Sequence, residues 1–219
     1  MPTSAFITVD AFLVDHRRLE GRAIELLSAW ITDERREALD VLLSLVDQRP
    51  KYIQVHFLLL MSATEAFHRE FLNHPDVSPE EHARRREGAL SGCPPEHKAW
   101  LSSRLISNEP SFKTRLAEIL GSVSDWIDPL VGDRDEFVTK VGNTRNYLVH
   151  QDPDGQRRAE TDVVRLYWIC RVLTLALKFA IVRELGLSAE ELTQQLRMNA
   201  NYGYAREHLQ KEPLYRRRA

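Results

Sequence analysis

The sequence lacks most of the features from which a function is usually read. Its 219 residues include two cysteines, Cys93 and Cys170, far apart in the chain. That supports neither a disulfide framework nor a zinc site, and makes a reducing cytoplasm the expected setting. There is no excess of positive charge: 30 Lys and Arg stand against 32 Asp and Glu, for a formal net charge of −2. This counts against a stable nucleic-acid binder more than against an enzyme, which needs only a local basic site. No basic segment followed by an apolar run opens the chain, so no signal peptide is expected. The longest apolar segment, residues Val163–Val182, is interrupted by Arg165, Arg171 and Lys178. Each would cost about 3 kcal/mol at the centre of a bilayer, so a long core helix is expected there and no membrane span. Gly-rich phosphate loops, nucleophile elbows and His-Glu-x-x-His zinc helices are absent. Asp47, Asp152 and Asp154 lie near histidines without ligand spacing, so neither a metal nor a cofactor is assigned.

Strand signals are missing too. Period-2 alternation does not occur, and the one Asp-Gly dipeptide, Asp154-Gly155, follows a helical segment. Helical punctuation is present instead. A first helix is expected over Val9–Trp30 and a second over Asp33–Val46, opening on Asp33 and Glu34 as the helix dipole favours. Pro50 suits the first turn of a third helix running to Leu72. The polar interval from Asn73 to Gly121 contains Pro75, Pro79, Pro94 and Pro95. Short helices are expected in it, from the Ser78-Pro79 cap, near Pro95 and near Ser111. Asp133 with Glu136, and Ser188 with Glu191, have capping-box spacing. A long helix over Ala159–Leu185 is expected to stop at Gly186. The tail from Tyr202 is polar and is expected to be loosely held. With 43% hydrophobic and 28% charged residues, no fixed-period repeat and no low-complexity linker, the chain reads as one all-α domain spanning 1–219, with a sizeable core.

Chemistry concentrates in one segment, "KVGNTRNYLVHQDPDG", Lys140–Gly155. On a regular helix Phe137, Val141 and Leu148 fall on one side, with Val138 and Val149 beside them. Asn146 and His150, four apart, share another face with Gly142 and, nearby, Asn143 and Thr139. Arg145 and His150 are five apart and project about 140° from each other. They could meet one ligand only if His150 sat in a fraying last turn before Pro153, or if a second copy of the chain completed the set. A histidine can move a proton to or from a ribose 2′-hydroxyl or a leaving 5′-oxygen. An arginine can neutralise charge building on a phosphate, and an asparagine can orient either partner. Such a set would cleave RNA, whose 2′-hydroxyl is an internal nucleophile, without a metal. The spacing alone is weak: with 24 arginines and 8 histidines, roughly two or three such pairs arise by chance. Arg69–His74 and Arg49–His56 also match, but Glu70 stands where Asn146 stands and would repel a phosphate. Glu65, in an apolar run, needs a partner such as Arg145 or Arg171. His68, one turn on, could line the same cleft or sit on the surface, and His56 reads as a core-edge residue. The basic clusters Arg84–Arg86 and Arg216–Arg218 read as a solvated face and a chain end.

The segment "TRNYLVHQD" resembles the signature of the HEPN superfamily, helical domains whose Arg-x(4–6)-His motif lies at the end of one helix. "LLLMSATEAFHREFL" is similar to the helix of Apea-like HEPN domains that carries a glutamate, and Trp30 sits about where that subgroup has its leading helices. The resemblance implies an up-and-down helical bundle with additional short helices, usually a homodimer with the two motifs facing each other across a cleft. It implies metal-independent endoribonuclease activity, commonly in bacterial anti-phage defence or as a toxin. Arg145 and His150 match the motif and Asn146 its polar position. Glu65 is a looser match, able to orient Arg145 or His150 from a neighbouring helix. Apea-like domains usually form the C-terminal part of a longer protein, so an N-terminal regulatory domain or partner protein is compatible with this chain. The competing expectation is a helical dimerisation or RNA-binding module that keeps the scaffold without cleaving.

Overall fold

The helices follow from their caps. The computed structural model describes residue 19 and residues 21–32, 34–47, 50–151 and 153–215. Among these there are twelve α-helices and no strand. In chain order they are α1 (Ala23–Thr32), α2 (Arg36–Asp47), α3 (Ile53–Phe67), α4 (Pro79–Ser91), α5 (Pro95–Arg104) and α6 (Phe112–Ser122), then α7 (Ser124–Val131), α8 (Arg134–His150), α9 (Pro153–Gln156), α10 (Val163–Glu184), α11 (Ala189–Leu196) and α12 (Ala200–Lys211). Ser78, Ser111, Asp133, Asp162, Ser188 and Asn199 each accept a hydrogen bond from the backbone N–H three residues on. Such caps contribute about 1 kcal/mol apiece. The Ser188–Glu191 box is complete. Asp133 is different: it caps through Glu136 N–H, while its own N–H donates to the Tyr215 carbonyl.

The core is built around α3 and α10, which pack on one another, with α2, α6 and α8 against α3. Phe57, Leu60 and Phe67 of α3 are fully buried, as are Leu120, Phe137, Val141, Ile169 and Phe179. Each such side chain stabilises the fold by about 1.5–3 kcal/mol. The all-α bundle expected from the sequence is therefore observed. The hairpin α4–α5 buries none of its residues, as its polar composition requires.

Several details differ from the expectations. Residues 9–18 and residue 20 of the first expected helix lie outside the described residues, and the described part forms α1 from Ala23. The second helix opens at Arg36, and the third at Ile53 rather than Pro50. Residues 124–131 form α7, with Pro129 inside its last turn. The tail is not loose. Tyr202, Leu209, Leu214 and Tyr215 are buried, and α12 packs on α7. The charged positions of α10 explain this: Arg165 donates to the Leu214 carbonyl at 2.7 Å and lies over the Tyr215 ring, and Arg171 reaches Asn201. Gly132, at φ +80°, lets Tyr215 pair with it, and a Cβ there would lie 2.0 Å from the Tyr215 carbonyl oxygen.

Candidate active site

The end of α8 is ordered by its neighbours. Phe137, Val138 and Val141 dock it on the core, whereas Val149 is half exposed, so the apolar side is narrower than the sequence suggested. Gly142 faces α6 rather than the polar side: the Lys113 side chain crosses it, and a Cβ there would lie 2.7 Å from Lys113 Cε. Lys113 Nζ then donates to Asn143 Oδ1 at 3.4 Å. The helix is regular through His150 and closes at Gln151, in the left-handed region (φ +53°), whose N–H donates to the Tyr147 carbonyl at 2.7 Å. His150 thus belongs to an intact last turn, not a frayed one.

Arg145 points toward α3. Its Nη2 donates to Glu65 Oε1 at 3.0 Å, its Nη1 to Asn146 Oδ1 at 3.3 Å, and its guanidinium lies 5.7 Å from the Phe112 ring centre. Glu65 is half-buried rather than buried, and of its two expected partners Arg145 is the one that meets it. Arg171 goes to Asn201 instead. Glu136 serves the α8 cap and does not bridge to Arg145; Asp152 lies outside the described residues.

His150 and Asn146 line a recess of about 320 Å³ together with Asn143, Tyr147, Gly155 and Arg158. Arg145 is not in that lining; it touches the recess through Asn146. Arg158 arrives from beyond α9 because buried Thr144 staples that segment down: its hydroxyl donates to the Lys140 carbonyl and accepts from Glu160 N–H, both at 2.8 Å. Chemically, the recess offers a proton-transferring ring, two amides and one cation, with a second cation on Asn143. Tyr147 was not singled out from the sequence, although its place four residues from Asn143 and three from His150 puts it on that side of the helix. Arg158 was not, because no local pattern reports a chain return.

The other marked residues fall elsewhere. His68 is neither on the surface nor in the recess: it is buried (1% exposed), 2.7 Å from Glu118 through Nε2. His74 meets the same carboxylate oxygen at 3.0 Å. The pKa of His74 is raised, chiefly because its ring hydrogen-bonds the Pro75 carbonyl, with Glu118 adding to the effect. Arg69, the partner of His74 in the second Arg-x(4)-His match, is paired with Glu109. His56 is buried at the core edge. Arg84 and Arg85 both hold Glu81, and Arg86 reaches Ser102.

A helical bundle that ends one helix in Arg-Asn-x-x-x-His, beside a polar recess, has the arrangement of a HEPN domain. The family model described as Apea-like HEPN matches residues 58–191, well over half of the chain, and the protein belongs to that family. Membership supports a ribonuclease or nucleotide-related function at the level of the family. The matched span begins within α3 and ends within α11, so α1, α2 and α12 lie outside it. No curated protein and no solved structure is detectably similar to the chain. Among the described residues, no helix is long and apolar enough to cross a membrane.

Proposed function

We propose that this protein is a metal-independent endoribonuclease acting as a homodimer. The observation that carries the reading is the linkage Glu65–Arg145–Asn146, which leads into a recess that His150 also lines. The ribose 2′-oxygen attacks the adjacent phosphorus and the 5′-oxygen leaves. His150 takes the 2′-proton or supplies the proton to the leaving oxygen. Arg145 neutralises the charge on the phosphoryl oxygens, Asn146 orients the two, and Glu65 positions Arg145. Arg145 and His150 project to different sides of one regular helix, so a second copy of the chain supplies the missing half of each site. Val149, half exposed beside His150, gives that contact an apolar element. A single cluster of buried side chains spans α2 to α12, which supports treating the chain as one HEPN unit. The family resemblance supports a cytoplasmic role in bacterial anti-phage defence or as a toxin, with an N-terminal regulatory domain or partner protein.

One observation favours a second reading. Arg145 is already engaged by both Glu65 and Asn146, as it would be in a non-catalytic dimerisation or RNA-binding module. The test is incubation of the protein with a mixed RNA pool in excess EDTA, beside Arg145→Ala and His150→Ala. The enzyme reading expects 2′,3′-cyclic phosphate or 3′-phosphate ends and 5′-hydroxyl ends, lost in both variants. Cleavage that survives both variants, or none from the unaltered protein, rejects it.

A further inference from the structure

We propose that His68, His74 and Glu118 form a binding site for a divalent transition ion of the zinc class. The site stands independently of the RNA reading and takes no part in it. The three ligand atoms, two imidazole nitrogens and one carboxylate oxygen, all lie within 4.8 Å of one another. His68 Nε2 is 2.7 Å and His74 Nε2 3.0 Å from Glu118 Oε2.

The backbone is shaped to make this meeting. Six residues apart on a regular helix, His68 and His74 would point about 120° away from each other. Here α3 continues as a π-helical turn, His68–Leu72, and Asn73 adopts the left-handed conformation (φ 33°) with its N–H on the His68 carbonyl. The wider turn carries His74 back over His68, ring centres 5.1 Å apart. π-Turns occur often at functional sites because they re-aim side chains in this way.

The hydrogen bonds call for a cation. His74 Nδ1 faces the Pro75 carbonyl at 3.1 Å and must donate to it. Its Nε2 then presents a lone pair to a carboxylate oxygen, which also has only lone pairs to offer. Either a proton or a metal has to lie between them. A metal-bound histidine commonly donates its other N–H to a backbone carbonyl, as His74 does. Two imidazoles and one carboxylate suit zinc, nickel or copper better than magnesium or calcium. His74 and Glu118 are partly open to solvent, which leaves room for a water ligand.

Arg115 sets a condition. Its Nη1 lies 3.3 Å from His68 Nδ1, so without a metal His68 keeps its proton on Nε2 and donates to Glu118. Metal entry moves that proton to Nδ1 by exchange with water. The planar Arg115 guanidinium then has to pivot as a whole away from His68 Nδ1, lengthening its bonds to Pro110 and Glu109, now 3.0 and 2.6 Å, and that shift opposes ion binding. Glu109 offsets the charge of Arg115. The two imidazole–carboxylate separations widen by about half an ångström to accept bonds of roughly 2.1 Å.

The test uses the untagged 219-residue chain, stripped with EDTA and exchanged into chelator-free buffer. Calorimetric zinc titration, cobalt absorption and zinc-dependent melting are compared for the unaltered chain, His74→Ala, Glu118→Gln and the control His97→Ala. The expected result is one equivalent bound, a melting temperature that rises with zinc, and affinity at least about tenfold weaker in His74→Ala and Glu118→Gln but not in His97→Ala. His74 is exposed, so His74→Ala folds and stays informative. Zinc bound equally by the unaltered chain and His74→Ala, or by neither, overturns the site and leaves the proton-bridged cluster.

Discussion

Replacing Glu65 by glutamine separates a positioning carboxylate from a structural one. The pair Arg145 Nη2–Glu65 Oε1 spans 3.0 Å with side chains 31% and 27% exposed, so it is neither a solvated surface pair nor a dry one. A charge-assisted bond that is largely shielded contributes about 1.5–3 kcal/mol, and an exposed one about 0–1 kcal/mol. After discounting for solvent, the loss in Glu65→Gln is about 1 kcal/mol, a fall in Tm of roughly 2–4 °C for a chain of this size. The effect on RNA cleavage is larger, because a guanidinium displaced by an ångström loses up to about a hundredfold in rate. The expectation is therefore a kcat reduced about ten- to a hundredfold with KM little changed. A cycle with Arg145→Lys, which keeps the charge and loses the planar fork, isolates the cause. If Glu65 acts through the Arg145 guanidinium, Glu65→Gln adds little to the loss already present in Arg145→Lys. Equal rate losses from Glu65→Gln in both backgrounds, or unchanged kcat with lowered Tm, would refute the positioning role.

Other expectations follow from the same structure. Gly132→Ala forces a side chain into a positive-φ position against the Tyr215 carbonyl, so thermal unfolding should show a loss of at least about 2 kcal/mol. Gly142→Ala displaces Lys113 from Asn143 while gaining about 1 kcal/mol of helix propensity. The new Cβ also lies 2.9 Å from Lys113 Cγ, near the root of that side chain, so Tm should fall despite the propensity gain, and KM for RNA should rise as is expected for Lys113→Ala. Arg84 and Arg85 hold the Glu81 carboxyl at about 2, and the Ser188 side chain lowers that of Glu191, with help from Arg22. Both are depressed relative to the unfolded chain, so their stabilisation is present above about pH 4.3 and is lost as pH falls through the folded values. Carboxyl NMR titration should place both midpoints below that value, and Glu191→Gln should flatten part of the acid loss.

Caps and prolines made the helices readable, because each local signal acts within one turn. Ser78, Ser111, Asp133 and Ser188 cap the helices expected of them, whereas the long helix expected from Ala159 opens at Val163 on an Asp162 cap. The helix α7 escaped because Pro129, near its end, breaks the local pattern while tertiary packing of Ile127 and Leu130 decides the matter. The tail misled for a similar reason: its polar composition hid Tyr202, Leu209 and Tyr215, whose burial depends on α7 and α10. At the site, Arg145, Asn146 and His150 were visible as a motif, and the Glu65 partnership was one of two stated choices. The divergence of Arg145 and His150 follows from helical geometry alone. Arg158 in the recess and the meeting of His68, His74 and Glu118 depend on a chain return and a π-turn, which no spacing rule encodes.

The central claim, that Arg145 of one chain acts with His150 of another on RNA, is tested most directly by mixing two inactive variants. Arg145→Ala and His150→Ala are combined, allowed to exchange subunits, and assayed with RNA in EDTA. Random exchange makes about half of the dimers mixed, each with one intact composite site of two, so activity should recover to about a quarter of the unaltered level. A mixture as inactive as either variant alone, with subunit exchange verified, would contradict the account.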